Sequence, residues 1–272
     1  GSFQENSLFQ VFGDAFPTQI IFQSAGKFTS IFEKSTLSGL SNPILINHRT
    51  LKGGSGHSWI YLPKVSKDAK TPVAVLINNN PLKLHSRELN ALAQFLTSNG
   101  YTVVLWNTLF SSNYGSNEGG TGEVSERLHS DLEILLNGLE QDDLIQKSNV
   151  VLIGSELGAC LIPFAMGNAE ITNLHGITYN GSLSTPTTFA SGLVFTAPEQ
   201  TWPEFGTMKF GPTQQLICIG GGKSNESACK NFVSLRLNAS YQDKTIRNGA
   251  GSLNFILNRL NELFQTQGSF SK

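Results

Sequence analysis

From residue 57 to near the C-terminus, short continuous apolar runs alternate with segments in which apolar residues return every three or four positions. HSWIYLP (57–63) reads as a short strand, Lys64 to Thr71 as a polar turn, and PVAVLIN (72–78) as a strand buried on both faces. In 84–98 the residues Leu84, Leu89, Leu92, Phe95 and Leu96 fall near one face of a helix, and Asn99-Gly100 supplies a C-terminal stop. YTVVLW (101–106) resumes as strand. The Asn-, Ser- and Gly-rich stretch 107–122 reads as loop, and 123–140 returns to helical spacing.

NVVLIG (149–154) is then a strand that runs directly into a helix carrying Cys160, Ile162 and Phe164. Beyond it, LHGITYN reads as strand, 181–213 as a Ser/Thr/Pro/aromatic insert, QQLICIG (214–220) as strand and 226–237 as helix. SYQDKTIR reads as strand and 252–264 as the terminal helix. Strands that alternate with helices and are apolar on both faces imply a mostly parallel sheet flanked by helices on both faces, an α/β fold. Ligands of such sheets bind at the carboxyl ends of the strands.

Residues 1–50 break the pattern: their Phe-rich pieces show neither a sustained helical period nor clean strand alternation. They are expected to form an N-terminal extension packed on a domain spanning 51–272. With 272 residues, one domain suffices.

Composition narrows the function. Charged residues make up 14% against an average of roughly 25% for soluble domains, and the formal net charge is -1. Lys and Arg are scattered, so no long-range field draws phosphate backbones, and nucleic acid is excluded as an expected partner. No run approaches the ~20 apolar residues of a membrane helix. Three cysteines form no disulfide framework; Cys218 and Cys229 stand close enough to bridge a strand to the following helix, and three reduced thiols fit equally well. No His, Cys or carboxylate set has metal-ligand spacing, and Gly220-Gly221-Gly222 lacks the frame of a phosphate loop, so neither metal nor cofactor is expected.

VVLIGSELGACL resembles the nucleophile elbow of the α/β-hydrolase superfamily, a strand ending in G-x-S-x-G that turns sharply into a helix. Here the five residues are Gly154, Ser155, Glu156, Leu157 and Gly158. VAVLINNNP sits where that family's oxyanion loop follows its strand. QQLICIGGGKSNE resembles the strand and loop that deliver the acid, and NGAGSLNF the stretch that delivers the base. The likeness covers roughly residues 57–265 in element order, and a bacterial hydrolase-like family that is often exported has a similar layout.

The resemblance implies a degenerate triad. Glu156 holds the nucleophile position, the acid position falls near Ser224, and the base position aligns on Ser252, whose hydroxyl cannot accept a proton near neutral pH. A carboxylate at an elbow can serve as nucleophile in this superfamily, but releasing the ester still requires a histidine to activate water. A carboxylate on the first turn of a helix is also stabilised there, by roughly 0.3–1 kcal/mol when exposed. Ser155 is expected to point away from the elbow tip. His175 starts a strand at the wrong end of the sheet, His129 lies mid-helix, and His57 opens an outer strand, so all three read as surface or packing residues. His85, after the INNNP loop, is the one histidine placed to approach Glu156. Asn78, Asn79 and Asn80 fit a polar pocket or, more simply, a turn.

A noncatalytic binding or scaffold protein is therefore the first expectation, working with a protein partner in a larger bacterial assembly. The candidate pocket is Asn78, Asn79, His85, Asn107, Ser155 and Glu156. Phe195, Trp202, Pro203 and Phe205 in the insert are the candidate partner surface, set against packing over the sheet. The alternatives are an ester or small-molecule hydrolase using Glu156 with His85, and a small-molecule receptor. Export is favoured over the cytoplasm.

Overall fold

A computed structural model of the chain describes residues 20–24, 27–30, 43–49, 55–63, 71–78, 87–107, 121–141, 145, 149–155, 157–167, 173–179, 209–246 and 250–268. Ten strands form one sheet: β1 Ile20–Ser24, β2 Lys27–Ser30, β3 Ile44–Arg49, β4 Ser55–Tyr61, β5 Val73–Asn78, β6 Thr102–Asn107, β7 Val150–Ser155, β8 Leu174–Tyr179, β9 Gln215–Ile219 and β10 Asn238–Gln242. Their order is β10-β9-β8-β7-β5-β6-β4-β3-β1-β2. Only β2 and β4 run against the rest, because β4 pairs antiparallel with both β3 and β6, and β2 antiparallel with β1. All other pairings are parallel.

Among the described residues, five helices cover the sheet: α1 Arg87–Ser98, α2 Thr121–Gln141, α3 Leu157–Met166, α4 Gly222–Ser234 and α5 Ala250–Gly268. Because successive strand residues face opposite sides, the core divides cleanly. On one face Val75, Val104 and Leu152 pack with Leu132 of α2, Ile162 of α3 and Phe232 of α4. On the other, Leu76, Leu105 and Ile153 pack with Leu92 of α1 and Leu260 of α5. Strands β6, β7 and β8 are buried almost end to end, which is why they read as continuous apolar runs.

Local sequence sets the helix boundaries. In α1, Leu89, Leu92, Ala93 and Leu96 repeat at helical spacing on the buried side. Gly100, at φ 93°, ends it, while the Tyr101 N–H bonds the Leu96 carbonyl at 3.2 Å.

The structure departs from the sequence expectation in several places. Strands β1, β2 and β3 lie inside 1–50, where no strand pattern was legible. Helix α4 begins at Gly222 rather than 226, since the glycine run that reads as a turn ends inside its first turn. Strand β10 covers Asn238–Gln242 rather than 240–247, as its pairing with β9 ends at Gln242. Among the described residues no helix is long and apolar enough to cross a membrane.

Candidate functional site

The chain leaves β5 for β6 on one side and then returns to place β7 on the other side of β5. That reversal makes the carboxyl ends of β5 and β7 a topological switch point, the place where open α/β sheets bind ligands.

β7 ends and α3 begins at this point, and two glycines make the crossing sterically possible. A Cβ on Gly154 would lie 2.6 Å from the carbonyl oxygen of Gly158. A Cβ on Gly158 would lie 2.6 Å from the carbonyl oxygen of Ile77, at the end of β5. Strand, helix and neighbouring strand thus meet backbone to backbone, and any side chain at either position would force them apart. Gly176 on β8 serves the same helix further along, since a Cβ there would meet Ile162 and Met166 of α3 at 2.6 and 2.8 Å. The G-x-x-x-G spacing read from the sequence is therefore the packing requirement of a tight strand-to-helix crossing.

The register aligns the last residues of the neighbouring strands. Asn78 pairs with Asn107, and Ser155 with Tyr179, at the carboxyl edge. Asn107 is buried and Ser155 half-buried. Three candidate pocket residues, Asn78, Asn107 and Ser155, therefore occupy one edge of the sheet. Ser155 falls on the alternation of Val151 and Ile153, the face opposite the core packed by α3. Asn79, His85 and Glu156 lie outside the described residues, as do Phe195, Trp202, Pro203 and Phe205.

The other two positions that the resemblance aligns with a triad are both helical. Ser224 lies in the first turn of α4, not in a loop as the sequence suggested, because the link from β9 is only Gly220-Gly221. Gly220, Gly221 and Gly222 all take positive φ, at 68°, 81° and 72°, conformations that side chains resist. Asn225, buried beneath them, donates its side-chain amide to the Gly220 carbonyl at 3.1 Å. Ser252, at the base position, is half-buried in the first turn of α5.

Of the five histidines, His85 lies outside the described residues, and His48, near the end of β3, is level with Gly56 at the carboxyl edge. His175 is buried at the amino end of β8, where its Nδ1 accepts the Gln215 backbone N–H at 3.2 Å. Burial lowers its pKa to about 4, so it stays neutral. His129, in α2, sits 3.2 Å from Glu133 one turn on. His57 differs from expectation. Its strand, β4, is not outermost but lies between β3 and β6, and it runs in reverse, so its start reaches the carboxyl edge. Ser58 is opposite Trp106, which brings the His57 backbone level with Asn107. No sequence signal gives that placement, because it depends on the direction of β4.

Comparison with known proteins gives a fold and no closer kinship. Neither the protein-family models nor the curated proteins contain a match to the chain. Among solved structures, dipeptidyl peptidase 4 of Porphyromonas gingivalis superposes with a TM-score of 0.59 at 13% identity, over 84% of this chain and 36% of that one. A puromycin-hydrolyzing peptidase of Mycobacterium tuberculosis gives 0.56 at 14%, over 88% and 42%. Est1E from Butyrivibrio proteoclasticus gives 0.55 at 13%, over 83% and 99%. The chain thus spans well under half the length of the two peptidases.

Proposed function

The chain has the α/β-hydrolase fold, and on that frame we propose that it is a noncatalytic binding protein, keeping the elbow crossing of a hydrolase without its reaction. One observation carries this reading. The glycine crossing that presents a nucleophile is built in full, while the sequence supplies Glu156 at its tip and Ser252 at the base position. Acyl transfer requires a nucleophile deprotonated by an adjacent imidazole that an acid orients. Neither His129, mid-helix, nor His175, buried at the amino end, serves a group at the carboxyl edge. His57 and His48 reach that edge three and four strands from β7, about 14 Å or more at the usual strand spacing, too far to relay a proton to the elbow directly.

The expected occupant is a protein partner, engaged at the carboxyl edge of the sheet and through Phe195, Trp202, Pro203 and Phe205 of the insert. The peptidases among the structural neighbours support a peptide segment as the first ligand to test. A pull-down from the native host, repeated with Trp202→Ala, should lose its partner in the variant.

Those same neighbours favour a second reading, a hydrolase with Glu156 as nucleophile or base and His85 as its partner. Chromogenic esters and peptide amides assayed with wild type and Glu156→Gln separate the two. No turnover by either protein is expected, and turnover abolished by the substitution would establish the second reading. The double variant Glu156→Ser, Ser252→His tests the aligned positions, with labelling by a serine-directed phosphonate as the expected gain.

A further inference from the structure

We infer that the disulfide between Cys218 and Cys229 is a structural lock on the crossing from β9 to α4, closed as the chain matures in an oxidising compartment. Cys218 lies in β9 and Cys229 in the middle of α4, with their Cα atoms 6.4 Å apart, inside the range that a disulfide spans. Both are essentially inaccessible, at 0% and 1% exposure, and both belong to the core on the α4 face. The third cysteine, Cys160, is on α3, a different helix.

The location explains why a covalent tie is useful. Between the cysteines run Gly220, Gly221 and Gly222, and glycine loses more backbone freedom on folding than any other residue. No atom outside the adjoining residues and the helix's own backbone comes within 4 Å of where a Cβ on Gly222 would lie, so no neighbouring element packs against that point. Hydrogen bonds tie the turn at separate points: the Gly220 N–H donates to the Gln242 carbonyl at 2.9 Å, Asn225 to the Gly220 carbonyl at 3.1 Å and the Tyr241 hydroxyl to the Gly222 carbonyl at 3.3 Å. A crosslink between residues 11 apart removes much of the freedom that the open glycine turn would have in the unfolded chain.

Formation is an oxidation. The two thiols give up two protons and two electrons as the S–S bond forms. The electrons pass by thiol–disulfide exchange to a disulfide oxidant of the compartment, which leaves as a dithiol. Thiol-reducing compartments oppose this and secretory or periplasmic ones favour it. Full burial then shields the bond from exchange, so it acts as a permanent tie rather than a switch.

The test begins with full-length protein from its native host, unfolded without reductant and alkylated. One adduct, on Cys160, is expected; three adducts would overturn the proposal. Reduced and oxidised wild type are then compared by hydrogen exchange. Amides of 222–234 should exchange at least tenfold faster after reduction while those of 87–98 stay unchanged, and equal changes in both helices would remove the lock. Cys218→Ala with Cys229→Ala should melt roughly 5–10 °C lower. If that variant does not fold, the exchange comparison on wild type decides.

Discussion

Two strand-to-helix crossings on the same face of the sheet use glycine for opposite reasons. At β7–α3, Gly154 and Gly158 are needed because there is no room: added Cβ atoms would sit 2.6 Å from backbone oxygens. At β9–α4, Gly220, Gly221 and Gly222 are needed for their positive φ, and Gly222 has open space around it. The first crossing is held by contact and the second by a disulfide and single hydrogen bonds. A glycine run therefore says little until one knows whether space or conformation demands it.

The contrast makes ordered predictions. Gly158→Ala should be the most damaging change, with a loss of about 3 kcal/mol or more, or failure to fold, read from the denaturant midpoint. A near-neutral result would mean that α3 can lift off β5 and would dissolve the contact argument. Next comes acid. His175 lies on β8, between the two crossings, and holds the first residue of β9. Its native pKa, about 4, is below the unfolded value of 6.5, so between these values the unfolded chain binds the additional proton. Stability should be constant above about pH 6.5, fall by about 3 kcal/mol on the way to pH 4, and level off below. His175→Gln should flatten that step in pH-dependent melts, and an unchanged step would assign it to other groups.

Gly222→Ala should cost only about 1–2 kcal/mol, the penalty of a left-handed backbone without a clash. If it matched Gly158→Ala, the two crossings would not differ in kind. Smallest is Glu226→Gln, which removes the exposed pair with Lys230 on α4 and should shift stability by no more than about 0.5 kcal/mol. A larger loss would show that this helix depends on surface charge as well as on the disulfide.

How much of this was legible in sequence follows from burial. β5, β6, β7 and β8 are covered on both faces, so their apolar runs announced them, and α1 was marked by its leucine spacing and the Asn99-Gly100 stop. The strand at the β9 edge was harder to place. β10 has one pairing neighbour and partly exposed polar residues, which leaves no alternation to read. α4 starts in glycines because Asn225 and the disulfide support its first turns; the Cys218–Cys229 pairing was one of two readings open in the sequence, while the Asn225 contact leaves no mark in a linear pattern. For the site, the elbow spacing carried over directly, since close packing dictates small residues at fixed intervals. The alignment of Asn78, Asn107 and Ser155 at one edge, and the arrival of His57 beside them, depends on strand order and direction, which no local pattern encodes.

The elbow also bears on how a reaction can be lost without losing a molecule. Its crossing is a contact among the backbones of Gly154, Gly158 and Ile77. Selection for folding and selection for chemistry therefore act there on different residues. A lineage could exchange the residue at the tip, and drift back, while the glycines on either side stayed fixed.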